Sequence, residues 1–267
     1  MDISIITVGM NHKKYIENLY RSLLVENRPK VEFECIYVDN CSTDGSQDWL
    51  MENYPEVKII QNKQPLGFGN NNNIGAKEAK GKYIAIINPD IEFIDNAIDN
   101  IVVWMEQHSG EYGIVGPKLL NPNRTVQYSV RRFMTPKTFF FRFITKGNDS
   151  TNASKVGDYL CRDIDMGKTQ PVNWIIGAAM FCTREFYEQL GGFDEDYFLY
   201  VEDEDMCLRS WKLGKPVFFV SDIAVVHNHL RASSKVGKKM LMHFKSFMIF
   251  FRKHGGHIKD YVPNTIS

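Results

Sequence analysis

"FECIYVDNCSTDGSQDWLMENYPEVKIIQN", residues 33 to 62, places two apolar runs on either side of a polar segment. Phe33 to Asn40 reads as a buried strand that ends in polar residues, and Val57 to Asn62 as another. Between them, Ser42 or Asp44 is positioned to cap a helix running through "SQDWLMENY". A strand, a helix and a strand in this order predict parallel neighbours joined by a crossover. The same unit recurs outward. "ISIITV" (3–8) is a buried strand, followed by "KKYIENLYRSLL" (13–24) with Ile16, Leu19, Tyr20, Leu23 and Leu24 at helical spacing. "NNIGAKEAKG" (72–81) reads as a short helix closed by Gly81, and "KYIAIINPDIEF" (82–93) as a strand running into a turn at Pro89. The fold class is therefore α/β, a mostly parallel central sheet with helices on both faces.

Composition supports that reading. The chain has 267 residues, 43% of them hydrophobic, enough for one large domain or two closely packed halves. Lys+Arg and Asp+Glu both number 32, so no global field recruits nucleic acid, and none is expected as a partner. Cys35, Cys41, Cys161, Cys182 and Cys207 form no CxxC pair. An odd, scattered set without an apolar leader predicts a reducing, cytoplasmic setting. The longest apolar stretches, "WIIGAAMF" and "FMIFF", fall short of the roughly 18 residues that a membrane span needs.

Sheets of this class bind ligands beyond the carboxyl ends of their strands. Two predicted strands end there in an acid, Asp39 in "YVDN" and Asp90 in "NPD". Singly, each is a good turn residue. Together they suit a nucleotide, one acid accepting from a base or ribose and the other reaching a divalent cation on a diphosphate. "GFGNNNNIGA" fails the dinucleotide pattern, since Gly67, Gly69 and Gly75 do not fit GxGxxG, which argues against a nicotinamide oxidoreductase. An Asn-lined turn at a helix N-terminus, with Asn70 foremost, suits sugar hydroxyls or phosphate oxygens.

"FLYVEDEDMCLRSWKLGKP" (198–216) sets Glu202, Asp203, Glu204 and Asp205 side by side. Acids in a first turn complement the helix dipole, and Asp205 with Arg209 is a favourable i,i+4 pair. That accounts for one or two of the four. A helix N-terminus also keeps a carboxylate ionised, while neighbouring anions keep its pKa high enough to accept a proton.

These stretches, with "YVDNCSTDGS", "GAAMFCTREFYEQLGGFDEDYF" and "AVVHNH", occur in an order that resembles the family 2 glycosyltransferases with the GT-A fold, and within it the bacterial rhamnosyltransferase-like members. The likeness covers residues 3 to about 230. It implies inverting transfer of a sugar from a nucleotide diphosphate donor to a hydroxyl of a cell-surface glycan or lipid-linked glycan. dTDP-rhamnose is the first candidate, with UDP-linked hexoses and N-acetylhexosamines next. By position it implies a nucleotide-sugar-binding half over 1–116, an acceptor and catalytic half over 117–230 within one domain of 1–230, and a helical tail over 231–267. For the donor it implies Asp39 on the base, Thr7 and Asn11 beside it, and Asn88 and Asp90 at the diphosphate. Manganese or magnesium would be held by Asp90 and His227, with Asn88 standing where the family's motif has its first Asp. Asp203 is the implied catalytic base, with Glu202 second, and Asp205 is structural. In the loop "GGFDEDYF", Asp194 and Asp196 face the acceptor, and Gly177 lets substrate approach the backbone.

Two segments stay open. "VQYSVRRFMTPKTFFFRF" (126–143) suits an RNA patch, an interfacial membrane element, a lid, or a helix packed by its Phe residues; the resemblance favours a lid whose Arg131 and Arg132 meet the diphosphate. The basic amphipathic tail "KKMLMHFKSFMIFFRKHGG" (238–256) suits either a homodimer interface or the inner face of a membrane. A nucleotidyltransferase lacks support because "TVGMNHKK" holds no Gly-rich, Arg-containing loop. A non-catalytic carbohydrate binder has no need of Asp90 and Asp203 together.

Overall fold

In the computed structural model, residues 1–144, 154–228, 238–256 and 258–262 are described. Strand β1 (Ile3–Gly9) is buried along nearly its whole length. It lies parallel between β2 (Phe33–Asp39) and β4 (Tyr83–Ile87), and β3 (Lys58–Gln61) extends the parallel set beyond β2. On the other side of β4 the direction reverses. Strand β11 (Ala179–Thr183) runs antiparallel between β4 and β6 (Ile114–Leu120). Parallel to β6 follows β12 (Val217–His227), edged by β5 (Ile91–Phe93). Among the described residues the order is β3-β2-β1-β4-β11-β6-β12-β5, with β7 (Val126–Gln127) added to β6 and β9 (Gln170–Val172) to β12. A separate ribbon pairs β8 (Val130–Arg131) with β10 (Trp174–Ile175).

Alternate residues of each strand feed opposite cores, as the two-residue period requires. Ile6, Ile36, Val38, Ile84 and Ile86 join one cluster; Ile3, Ile5, Tyr37, Ala85 and Ile87 join the other. Each fully buried aliphatic of this kind contributes about 1.5 to 3 kcal/mol. Helices α1 (Lys13–Arg21), which runs into a π-helical turn over Ser22–Glu26, α2 (Ser46–Asn53) and α4 (Ala97–Gln107) cover the second cluster. The first is covered by α3 (Phe68–Lys77), α7 (Arg184–Leu190), α8 (Glu202–Lys212) and α9 (Lys238–His254). Helices α5 (Pro136–Ile144) and α6 (Ser154–Tyr159) lie in the excursion between β8 and β9.

The α/β architecture is the expected one, with local differences. The N-cap position of α2 is Gly45 at φ +78°, a left-handed conformation that glycine adopts without strain, so the capping carboxylate comes from the residue before it. Asp44 accepts from the backbone N–H of both Lys13 (2.8 Å) and Ser46 (3.1 Å), holding the starts of α1 and α2 with one carboxylate. The helix expected from residue 72 begins at Phe68, so the Asn run lies inside α3 rather than in a turn before it. "WIIGAAMF" is two strands broken around Gly177, and all five cysteines are free thiols.

Candidate active site

The strand register gathers the expected residues at one end of the sheet. Gly9 pairs with Asp39 at the carboxyl ends of β1 and β2, Thr7 pairs with Ile87 at the end of β4, and His227 pairs with Ile91, the residue after Asp90. Asn88 donates its backbone N–H to the Ala178 carbonyl (2.9 Å), which brings the entrance of β11 to the same place. One residue earlier, Gly177 donates its N–H to Asp203 Oδ2 (2.8 Å). A Cβ at Gly177 would lie 3.2 Å from the Asp203 Cβ, so what its bareness admits is the Asp203 carboxylate. Asp203 therefore comes within one residue of the strand end that carries Asn88.

Asp39 is fully buried, and its Oδ2 accepts from the Ser42 N–H (2.9 Å) and from Gln47 Nε2 (2.7 Å). Its Oδ1 is buried without a hydrogen-bond partner among the described residues. A buried carboxylate oxygen left so costs free energy, and a ligand N–H or O–H would satisfy it. Asn11, at φ +57°, is tied to the following loop through Oδ1, which accepts from Thr43 N (2.8 Å). Thr7 is buried within β1.

Asp90 and His227 meet at 3.4 Å, Oδ1 to Nε2. Gln127 Nε2 donates to Asn121 Oδ1 (3.2 Å), which turns Gln127 Oε1 toward His227 Nδ1 at 2.7 Å. With Nδ1 engaged by that oxygen, Nε2 is the ring nitrogen that faces the carboxylate. An imidazole oriented through its other ring nitrogen can serve as a metal ligand. The pair could supply one oxygen and one imidazole nitrogen to a divalent metal; among the described residues no group of three or more His, Cys, Asp or Glu side chains is placed to hold one. A groove of about 800 Å³ runs from Asp90 and Asn228 past Glu92 along α1 to Trp49.

The four acids of α8 have different surroundings. Tyr200 and Val201 both take left-handed φ, +70° and +74°, directly before the helix, a strained geometry for a β-branched residue that directs the first turn inward. Burial pushes the Asp203 carboxyl above the usual aspartate range, while the Gly177 and Glu204 N–H groups and the charge of Arg131 pull it back. Burial and the neighbouring Asp203 push Glu202 well above its usual value, and its Oε2 has no hydrogen-bond partner among the described residues. Glu204 is buried and also raised, mainly by burial; it accepts from the backbone N–H of Met134. For Asp205, burial acts upward but loses to His254 and Arg209, which hold the carboxyl below its usual range. The expected i,i+4 pair is present at 2.7 Å, with His254 Nε2 at 2.7 Å on the other oxygen.

Other expected residues are engaged elsewhere. Arg132 is buried in a two-pronged pair with Asp163 (3.0 and 2.6 Å), whereas Arg131, facing the other way, is the arginine that favours the Asp203 anion. Asp194 and Asp196 both bind Lys253 of α9, Asp196 at 2.7 Å. The Asn run clasps the loop before α8. Asn70 and Asn73 donate to Glu195 (2.8 and 3.1 Å), and Asn73 exchanges hydrogen bonds with the Phe193 backbone in both directions (2.9 Å each). Gln127, Glu195 and His254 carried no sequence signal, because each meets a partner with no local pattern linking the two, and Glu204 was visible only as a member of the acidic run.

A sequence model of the glycosyl transferase family 2 matches residues 4–161 of this chain. The chain belongs to the family 2 glycosyltransferases, and transferase activity comes with the family. It is 25% identical over 276 residues to the N-acetylglucosaminyl-diphospho-decaprenol L-rhamnosyltransferase of Mycobacterium tuberculosis, covering 95% of this chain and 85% of that protein. To the rhamnosyltransferase WbbL of Escherichia coli it is 26% identical, covering 91% and 90%. Among solved structures it resembles Staphylococcus aureus TarS (TM-score 0.62, 19% identity, 86% of this chain and 37% of that one). It also resembles the Pyrobaculum calidifontis mannosyltransferase PcManGT, solved with GDP-Man and Mn2+ (TM-score 0.64, 18%, 97% and 65%). At these identities the solved glycosyltransferases show the fold, which is GT-A.

Proposed function

We propose that this glycosyltransferase moves a sugar, with inversion, from a nucleoside diphosphate donor to a hydroxyl of a growing cell-surface glycan, with rhamnose from dTDP-rhamnose as first candidate. The carrying observation is the Asp203 carboxylate, held by the Gly177 N–H one residue from the strand end that bears Asn88 and Asp90. The names of the two rhamnosyltransferase relatives support the sugar, and the decaprenol-linked substrate in the first name supports a lipid-linked acceptor.

On this reading Asp39 Oδ1 accepts from the base or ribose, with Thr7 and Asn11 lining the same end of β1. Asp203 takes the proton of the acceptor hydroxyl as its oxygen bonds to the anomeric carbon. The bond from that carbon to the diphosphate breaks on the opposite face, and the nucleoside diphosphate leaves with the electron pair. Burial makes Asp203 a stronger base than an exposed aspartate, and the two N–H donors with Arg131 keep it ionised enough to act. A divalent cation, manganese or magnesium, held by Asp90 and His227 would supply the charge that neutralises the departing diphosphate.

The test is a donor screen followed by one variant. The protein is incubated with dTDP-rhamnose, UDP-hexoses, UDP-N-acetylhexosamines and GDP-mannose, with and without manganese, and donor hydrolysis and transfer are read by release of nucleoside diphosphate. Asp203→Asn is expected to keep donor affinity and lose transfer by about 10²- to 10⁴-fold. Turnover with a UDP-sugar alone moves the assignment to a hexosyl or N-acetylhexosaminyl transferase; no turnover with any donor, or an Asp203→Asn variant at full rate, defeats the reading.

A further inference from the structure

Helices α5 and α9 pack side by side through Phe139, whose ring lies 4.9 Å from Phe247, 5.8 Å from Phe244 and 6.3 Å from Phe251. The inner face of α9 is committed, with Ser246, Phe247 and Phe250 buried, and Phe139 of α5 packs partly buried against it. Their outer faces are not polar, as an ordinary amphipathic surface helix would be. Phe140 and Ile144 of α5 are 60% and 58% exposed, and Leu241, Phe244 and Met248 of α9 are 69%, 46% and 52% exposed. The spacing is i,i+4 on α5 and i,i+3,i+7 on α9, so each set forms one stripe, and the two stripes adjoin. Large apolar side chains clustered in this way mark an interaction surface, whereas single ones do not.

The charges around the patch select the partner. Neither helix contains an acidic residue, although the whole chain balances 32 cationic against 32 anionic residues. Lys137, Lys245 and Arg252 are exposed among the apolar residues. Long cationic side chains beside Phe, Leu and Met suit an anionic bilayer surface, where the stems lie along the acyl boundary and the heads meet phosphate. An isologous contact with a second copy would bring these cations against their own images, which is unfavourable. No described helix is long and apolar enough to cross a membrane, so the element would lie on the surface.

The position of α9 gives the contact a use. Ser246 donates to the Leu199 carbonyl (2.9 Å), Lys253 binds Asp194 and Asp196, and His254 reaches Asp205. The exposed stripe thus sits on the helix that braces the loop leading into Asp203. We propose that the joined outer face of α5 and α9 is a docking surface for an anionic lipid bilayer, which seats the enzyme with its acid loop close to the lipid headgroups. The inference stands on the patch and does not depend on which sugar is moved.

The experiment is sedimentation of the full chain with vesicles of phosphatidylcholine alone and of phosphatidylcholine with phosphatidylglycerol, alongside sedimentation velocity without lipid. Binding to the phosphatidylglycerol vesicles and little to the neutral ones is expected. Leu241→Glu with Met248→Glu, and separately Lys245→Glu with Arg252→Glu, should each weaken binding at least about tenfold while thermal unfolding stays unchanged, since all four residues are exposed. A variant at Lys30, far from the patch in sequence and exposed, should bind as wild type. Absence of vesicle binding, or binding that both double variants retain, overturns the proposal. Self-association in solution that Leu241→Glu with Met248→Glu abolishes, without vesicle binding, reassigns the face to contact between copies.

Discussion

Glu202 is buried and its chain neighbour Asp203 half-buried, and two adjacent carboxylates so placed do not ionise as independent groups. Burial raises both, but only Asp203 receives backbone N–H bonds from other residues and the field of Arg131, so its anion is the better supported of the two. On the proposed reading Asp203 is the carboxylate that acts ionised, and Gln at 202 keeps the size of Glu202 without its titration. Glu202→Gln is expected to transfer at close to the wild-type rate. Because the base acts ionised and its pKa is raised, the rate should fall on acidification above the usual aspartate range of about 3.9, in wild type and in Glu202→Gln alike. Rate against pH at saturating donor for both proteins measures this. A dead Glu202→Gln beside an active Asp203→Asn would move the base by one residue.

At the scale of elements, α8 is held by the tail. His254 and Arg209 each give Asp205 a 2.7 Å contact, and Tyr197 adds a hydroxyl at 3.2 Å, so a side chain 1% exposed is fully partnered. Asp205→Asn is expected to cost about 2 kcal/mol at pH 7, because the Arg209 guanidinium loses its counter-charge in a largely buried place. The folded pKa of Asp205 is lowered, so its contribution is complete above the unfolded value near 3.9 and disappears as pH falls through the folded value. Thermal unfolding of both proteins between pH 7 and pH 3 checks this; a gap that stays constant over that range would show the loss to be packing rather than charge. Sequence alone disclosed the Asp205 and Arg209 pair, four residues apart on one helix face. The His254 contact, 49 residues away, and the Gln127 contact to His227, 100 residues away, exist only after folding and leave no period or motif. Strands left a better record, since burial on both sides of β1, β2 and β4 demands the apolar runs that were legible. One available clue went unused. Arg131 and Arg132 are consecutive in extended chain, so their side chains point to opposite faces, and only one of them could face a common site.

The two halves of the chain share one sheet, and that governs how the molecule should unfold. Strand β11 comes from the second half yet lies between β4 and β6, both from the first 120 residues, and its register against β4 runs from Ala179 with Ile87 to Thr183 with Tyr83. Every residue of β4 is buried, so removing β11 would expose one of its backbone edges together with the two faces that Met180 and Phe181 cover on opposite sides of the sheet. An open, flat, apolar edge pairs with other chains rather than standing in water. Asp203, the proposed base, hangs on the same crossing, because Gly177 and Ala178 lead into β11. The full chain is therefore expected to unfold in one cooperative transition, with circular dichroism and tryptophan fluorescence coincident, since Trp49 and Trp104 report the first half and Trp174 and Trp211 the second. The fragment 1–116 should show no such transition and should aggregate. A soluble fragment with a sigmoidal melt, or two separated transitions in the full chain, would mean that the nucleotide half stands alone and that β11 is an addition to a finished sheet.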